Sequence, residues 1–335
     1  MSKCWTADGV LALTRGYQEA CVLFAAAELD VFDALVGGPM TAEALAGRLG
    51  CDVRAMTVLA DALAAMELLD KSGRAYSLAP GVADTLTKTS AGSVLSLAQH
   101  GANCLRRWAQ LARVARTGKP ARRGPSIRGP RGDLESFINA MNDINQAIAA
   151  PLVAELGPPR FRHLLDVGGG SGTWTIALLR AAPGARATIV DLPEVIPLAR
   201  KRIGEAGLSD RVTLVGGDFT RCTFPAGADL AWVSAIVHQN SRRENRALFR
   251  KTYAALAGGG RILIRDIVMD ESRTRPASGA MFAVNMLVAT PRGGTFTLGE
   301  LSEDLAEAGF ADPALLKAGQ GMDSVVGAVK SEKNQ

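Results

Sequence analysis

The chain has 335 residues, of which 47% are hydrophobic and 21% charged, with a net charge of +5. That length exceeds one compact core and predicts two domains. No run of about 18 uncharged apolar residues occurs, so no membrane span is expected.

The first residues, Met1 to Asp8, do not have the shape of a signal peptide. The five cysteines, Cys4, Cys21, Cys51, Cys104 and Cys222, are scattered without a C-x-x-C pair. This predicts free thiols in a reducing cytoplasm and no metal site built on cysteine.

From about Asp8 to Val36 apolar side chains recur at helical spacing, and Gly37-Gly38-Pro39 stops them. A short Thr41–Gly50 segment follows, then a second helix from Asp52 to Leu69. Leu68 to Leu78 reads as two short strands around a Ser72-Gly73 turn. Two helices and a hairpin make a winged-helix pattern. A DNA reader would need cations along the Asp52–Leu69 helix, where only Arg54 is present. Its Met56, Val58, Leu59, Leu63 and Met66 instead predict packing against another domain or another copy.

Residues 93–157 read as helical, interrupted by a Gly/Pro/Arg-rich loop from Gly118 to Gly132. Arg106, Arg107, Arg113, Arg116, Lys119, Arg122, Arg123, Arg128 and Arg131 crowd this region. Without aromatic residues interleaved after Trp108 they predict a solvated basic loop rather than a single-strand nucleic-acid platform. Gly157-Pro158-Pro159 is the expected domain junction. The division expected is 1–95, 96–157 as a helical connector, and 158–335.

Past the junction the pattern alternates strand and helix. Candidate strands are His163–Val167, Ala187–Val190, Val212–Val215, Leu230–Val233 and Arg261–Ile264, with Val195–Ala206 and Arg243–Ala257 helical between them. This predicts a parallel, doubly wound α/β sheet. Ala314–Leu316 and Ser324–Val329 would complete it, with an antiparallel step.

In such sheets ligands sit beyond the carboxyl ends of the strands. Strand one ends in Gly168-Gly169-Gly170-Ser171-Gly172, a turn that lets backbone approach a nucleotide-like ligand closely. Strand two ends in Asp191-Leu192-Pro193, strand three in Gly217-Asp218-Phe219. Strand four runs through Ser234 toward His238, and strand five ends in Arg265-Asp266. Asp191, about 20 residues past the turn, suits a carboxylate that accepts from both ribose hydroxyls. Asp218 and Phe219 suit an adenine amine and ring face.

The glycine spacing is G-x-G-x-G, with Thr173 where a dinucleotide fingerprint has its third glycine. No cation stands beside the turn in sequence, as a pyrophosphate would favour. Together these point to S-adenosylmethionine rather than NAD. The expected cofactor contacts are Gly168, Gly170, Gly172, Asp191, Leu192, Asp218, Phe219 and Ser234.

These motifs resemble the small-molecule O-methyltransferases of the plant caffeate and bacterial polyketide-tailoring type. The residues that carry the likeness are Asp166 to Gly172, Asp191-Leu192-Pro193, Gly217-Asp218-Phe219 and Ile236-Val237-His238. The resemblance implies a Rossmann-like catalytic domain preceded by a mostly α winged-helix dimerisation domain. It also implies a homodimer and metal-independent methyl transfer from S-adenosylmethionine, with His238 as general base. The chain departs from the family at Gln239-Asn240, where Asp-Trp is usual, and at Ser234, where lysine is often found. It has no acid after Gly293-Gly294.

Among the chain's three histidines only His238 falls at the mouth of the expected cleft. A base there removes a hydroxyl proton as the oxygen attacks, and the resulting imidazolium needs a carboxylate. Asp266, at the next strand end, is the candidate. Met141, Asn142, Asn145, Asn285 and Met286, with Phe137 and Phe282, are expected to line the acceptor side. Rival expectations are C- or N-methylation, a relative that keeps the cofactor without transferring methyl, and a winged-helix regulator.

Overall fold

The computed structural model describes residues 4–157 and 160–331. Pro158 and Pro159 of the expected junction lie outside the described residues. The chain separates into two compact units, residues 1–106 with 124–144, and residues 107–123 with 145–335.

In the first unit, helices α1 (Ala7–Arg15), α2 (Tyr17–Glu28) and α3 (Val31–Ala34) replace the single periodic run read from sequence. Gly16 separates the first two, and Asp30, at φ 61°, turns the chain into the third. Strand β1 (Met40–Thr41) leads into α4 (Ala42–Leu49), where Thr41 caps the helix by accepting from the Ala44 N–H. Next come α5 (Val53–Ala65), capped by Asp52, the hairpin strands β2 (Leu69–Ser72) and β3 (Ala75–Leu78), and α6 (Val82–Leu86). The three strands form an antiparallel sheet in the order β1-β3-β2. Met56, Ala60 and Leu63 of α5 bury one stripe of that helix against Phe32, Leu45 and Tyr76.

Three further helices follow, α7 (Leu95–Trp108), α8 (Leu111–Thr117) and α9 (Gly129–Glu155). The loop between α8 and α9 is shorter than read, because Gly129 and Gly132 are already helical. No helix among the described residues is long and apolar enough to cross a membrane.

The second unit is built on a seven-stranded sheet. Its elements run β4 (His163–Val167), α10 (Thr173–Ala181), β5 (Arg186–Asp191), α11 (Ile196–Glu205), β6 (Val212–Gly216), β7 (Ala228–Ser234) and α12 (Arg242–Ala255). Then come β8 (Leu256–Asp266), short β9 (Val268–Met269), α13 (Ala277–Ala289), short β10 (Phe296–Thr297), α14 (Leu298–Glu307), β11 (Ala311–Lys317) and β12 (Ser324–Val329). The spatial order is β11-β12-β8-β7-β4-β5-β6. Strands β4 to β8 are mutually parallel, and β12 runs antiparallel to both its neighbours.

Alternation along these strands divides the core into two layers. Leu164, Ala187, Ile189, Leu230, Trp232 and Leu263 pack on one face with the buried residues of α9, α10 and Ile203 of α11. Leu165, Val167, Ala231, Val233, Ile262 and Ile264 pack on the other with Leu248 and Phe249 of α12 and Leu301 and Leu305 of α14. Burial on both faces is why these strands read as apolar runs rather than as an alternating pattern. Strand β8 is longer than the four residues read from sequence. Gly258-Gly259-Gly260 looks like a breaker, yet it lies within the strand, where the pairing with β7 shifts register between Ala228 and Leu230.

Candidate functional site

The carboxyl ends of five adjacent parallel strands carry the residues picked from sequence. After β4 the chain turns through Gly168, at φ 68°, whose N–H donates to the Val190 carbonyl at 2.8 Å. A methyl group at Gly168 would collide with the Ile236 side chain and strain the left-handed turn, so a larger residue is disfavoured there. At Gly170, by contrast, an added Cβ would meet nothing within 4 Å, and the backbone is open to a ligand.

Asp191, the last residue of β5, ties this turn down. Its Oδ2 accepts from the Gly170 N–H at 2.7 Å and its Oδ1 from the Leu192 N–H at 2.7 Å. Burial pushes its carboxyl above the usual carboxylate range, opposed by these two backbone donors. Each oxygen keeps a lone pair for a further donor. Leu192 is exposed at 38%.

Asp166 was not among the expected contacts. It lies fully buried in β4, its Oδ2 accepting from Thr175 Oγ1 at 2.6 Å. Burial lifts its pKa to about 7, and the nearby Asp191 charge adds to the shift. Thr175, in the first turn of α10, is thereby fastened to the strand beside the glycine turn.

Asp218 closes its own turn by accepting from Thr220 N and Oγ1 at 2.8 and 2.7 Å, which holds its carboxyl below the usual range. Phe219 beside it is half-buried, and its carbonyl accepts from Lys251 Nζ at 2.5 Å. Phe219 and Lys251 also border a small cavity of about 160 Å³ with Thr220, Asn240, Glu244, Ala247 and Leu248.

Strand β7 ends at Ser234, and Ala235, at φ 57°, swings the chain into a single 3-10 turn, Val237–Gln239. This turn carries His238 to the buried end of β8. The structure brings His238 and Asp266 into contact: Nδ1 lies 2.9 Å from Asp266 Oδ2 and 3.0 Å from Oδ1. Both side chains are buried. A carboxylate only accepts, so this geometry puts the proton on Nδ1 and leaves Nε2 as the basic nitrogen. The Ile267 N–H donates to Asp266 Oδ1 at 2.8 Å.

Four further contacts fix the turn, none of them legible in sequence. Asn245, fully buried in α12, donates from Nδ2 to the Val237 carbonyl at 3.0 Å and accepts from Asn240 Nδ2 at 3.0 Å. The Gly294 N–H donates to the His238 carbonyl at 2.9 Å. The Phe282 ring meets the imidazole edge-on, centroids 4.8 Å apart at 85°. Gln239 instead lies exposed, donating to the Ala235 carbonyl at 3.2 Å.

The expected acceptor-side residues fall in both units. Met141 and Asn142 lie in the part of α9 that belongs to the first unit, Asn145 in the part that belongs to the second. Asn285 and Met286 stand on α13, and Asn285 Oδ1 accepts from Trp108 Nε1 at 3.0 Å.

Ser234 carries a surprise. Its Oγ accepts from Arg265 Nη1 at 3.1 Å, the two residues facing each other across β7 and β8. Arg265 is 1% exposed, and its guanidinium lies 4.5 Å from the Trp174 ring centroid at the start of α10. A cation therefore stands against Trp174, two residues past the glycine turn, although none is near the turn in sequence. It arrives from a strand remote in the chain.

The donor set fits S-adenosylmethionine. The turn offers backbone amides and an open approach at Gly170, Asp191 offers acceptors for hydroxyls, and Phe219 offers an apolar face.

Comparison with known proteins agrees with this geometry. A family model described as the O-methyltransferase domain matches residues 128–311, and one described as the O-methyltransferase dimerisation domain matches residues 11–99. The chain is 31% identical to a 3-hydroxy-5-methyl-1-naphthoate 3-O-methyltransferase of Streptomyces sahachiroi, over 95% of this chain and 94% of the relative. It is 32% identical to the tetracenomycin polyketide synthesis 8-O-methyl transferase of Streptomyces glaucescens, over 90% and 91%. Among solved structures, human N-acetylserotonin methyltransferase in complex with S-adenosylmethionine superposes with a TM-score of 0.79 at 26% identity, over 99% of this chain and 100% of that one. The chain belongs to the O-methyltransferase family, as an enzyme that uses S-adenosylmethionine.

Proposed function

We propose that this enzyme methylates a hydroxyl group of a small aromatic or polyketide-like metabolite, with His238 as general base. The observation that carries the reading is the buried His238–Asp266 pair at 2.9 Å. A phenol has a pKa near 10 and an imidazole near 6.5, so prior ionisation of the acceptor would cost roughly 5 kcal/mol. Removing the proton through Nε2 as the oxygen attacks avoids that separate step. Asp266 then faces the imidazolium and stabilises it. S-adenosylmethionine, when bound, supplies a methyl group on a positively charged sulfur as the electrophile.

The same reading assigns adenosine to the β5 and β6 ends, its ribose at Asp191 and its adenine beside Asp218 and Phe219. Gly168, Gly170 and Gly172 shape the turn beneath it. Asn145, Asn285 and Met286, all of the second unit, face the acceptor. Residues 1–95 form a winged-helix dimerisation domain, 96–157 a connector to the substrate pocket, and 158–335 the catalytic domain of a cytoplasmic homodimer. The matched dimerisation domain supports the homodimer.

The test is a screen of phenols and hydroxy acids that reads S-adenosylhomocysteine release, with the methyl position on the product fixed by NMR. Methyl on oxygen, lost with His238→Ala, is the expected result. Methyl on nitrogen or carbon overturns the hydroxyl assignment.

A further inference from the structure

Arg265 is a buried cation without a counter-ion. Among the described residues no carboxylate lies within ion-pair distance of it, although Asp266 and Asp323 act on it through space. Only Nη1 has a hydrogen-bond partner, Ser234 Oγ, and Nε is buried with none. Burial draws its pKa down to about 10. On the same face of the sheet, Trp232 Nε1 is a second buried donor without an acceptor, its ring 5.2 Å from that of Trp174. Donors without acceptors in an apolar layer are costly unless an acceptor arrives.

The strand order says which acceptor this is. With the ribose at the end of β5 and adenine at the end of β6, the rest of the cofactor must extend the other way, over β4 toward β7 and β8. Neighbouring strands lie about 4.8 Å apart, so β7 stands roughly 10 Å from β5. The extended amino-acid arm of the cofactor bridges that span. Arg265 reaches from β8 back over β7 to Ser234.

We propose that the Arg265 guanidinium, held by Ser234 and Trp174, seats the carboxylate at the amino-acid end of S-adenosylmethionine. The guanidinium fork matches a carboxylate, and Nε and Nη2 form its unused edge. The assignment rests on the adenosine reading above, which sets the direction of the cofactor.

The test is calorimetric binding to the whole protein, with no acceptor and no turnover. Three ligands are compared: S-adenosylhomocysteine, its decarboxylated analogue, and methylthioadenosine, which lacks the amino-acid end. The wild type should prefer S-adenosylhomocysteine over the decarboxylated analogue by roughly ten- to a hundredfold, the range of a charge-assisted hydrogen bond. Arg265→Leu should lose S-adenosylhomocysteine affinity by a similar factor and leave the other two within about twofold, so the preference collapses. Arg265→Lys should retain part of it.

Equal wild-type affinity for the first two ligands overturns the assignment and needs no variant to fold. So does Arg265→Leu weakening all three ligands alike, the mark of a merely structural role. Methylthioadenosine binding that ignores Asp191→Ala removes the adenosine seat instead, and with it the direction used here.

Discussion

His238 and Asp266 come from the ends of neighbouring parallel strands, and the imidazole Nδ1 sits almost equidistant from both carboxylate oxygens, at 2.9 and 3.0 Å. A donor placed between two acceptors fixes the ring plane as well as the tautomer. Asp266→Asn keeps the shape but can present an N–H to Nδ1 and favour the wrong tautomer. It should lower kcat at least tenfold, as should His238→Ala, with S-adenosylhomocysteine affinity within about twofold of wild type. Unchanged turnover in steady-state assays of either variant removes the base assignment.

Asp191 both braces the glycine turn and presents acceptors to a ribose. Asp191→Ala should weaken cofactor binding by tenfold or more, read by calorimetry, since two charge-assisted bonds are lost. Asp191→Asn, which keeps an oxygen but not the charge, should fall between the two. Equal affinities across the three proteins would falsify the ribose role.

Gly168 combines a left-handed backbone with contact against Ile236. Gly168→Ala should destabilise the fold by about 1–3 kcal/mol and reduce cofactor affinity. Chemical denaturation with and without S-adenosylhomocysteine measures both. Gly168→Ala should cost less in an Ile236→Ala background than in the wild type, because the clash is then absent.

Asp166 gives stability a pH dependence of definite sign. Its pKa rises from 3.8 to about 7 on folding, so between those values the folded state holds a proton that the unfolded state has released. Its contribution is complete below about pH 4 and is lost as pH rises through 7. The loss is about 4 kcal/mol at most. Asp166→Asn keeps an oxygen for Thr175 and cannot ionise. It should flatten the stability curve between pH 5 and 7, with the variant gaining relative to wild type toward neutral pH. Parallel curves for the two proteins in urea titrations at several pH values would count against a raised Asp166.

Much of the catalytic unit was legible because its strands are buried on both faces. His163–Val167 and Ser324–Val329 are observed with the bounds read from sequence, and the other strands of the sheet gain residues at one or both ends. The misses have physical causes. Gly258 to Gly260 look like a breaker but form part of a bulged strand, and Gly16 and Asp30 break a helical run whose periodicity hides them. The pairing of His238 with Asp266 could be read, because each sits at a strand end. Arg265 could not: an arginine beside a strand terminus reads as surface, and its partner Ser234 is 31 residues away. The Asn240–Asn245 pair was equally hidden, since neither asparagine signals that it buttresses a turn.

The glycine pair after α13 has a consequence for remaking the enzyme. Gly293 leaves no room for a side chain against the His238 carbonyl, and Gly294 bonds that carbonyl directly. The segment that presents Phe282, Asn285 and Met286 is therefore stitched to the backbone of the base. Exchanging that helix for one from a relative, to change which molecule is accepted, would also reset the aim of the imidazole. A graft that ends before Pro291 and keeps the native Gly293-Gly294 should alter selectivity at little loss of rate, whereas one that replaces the pair should lose rate on every acceptor.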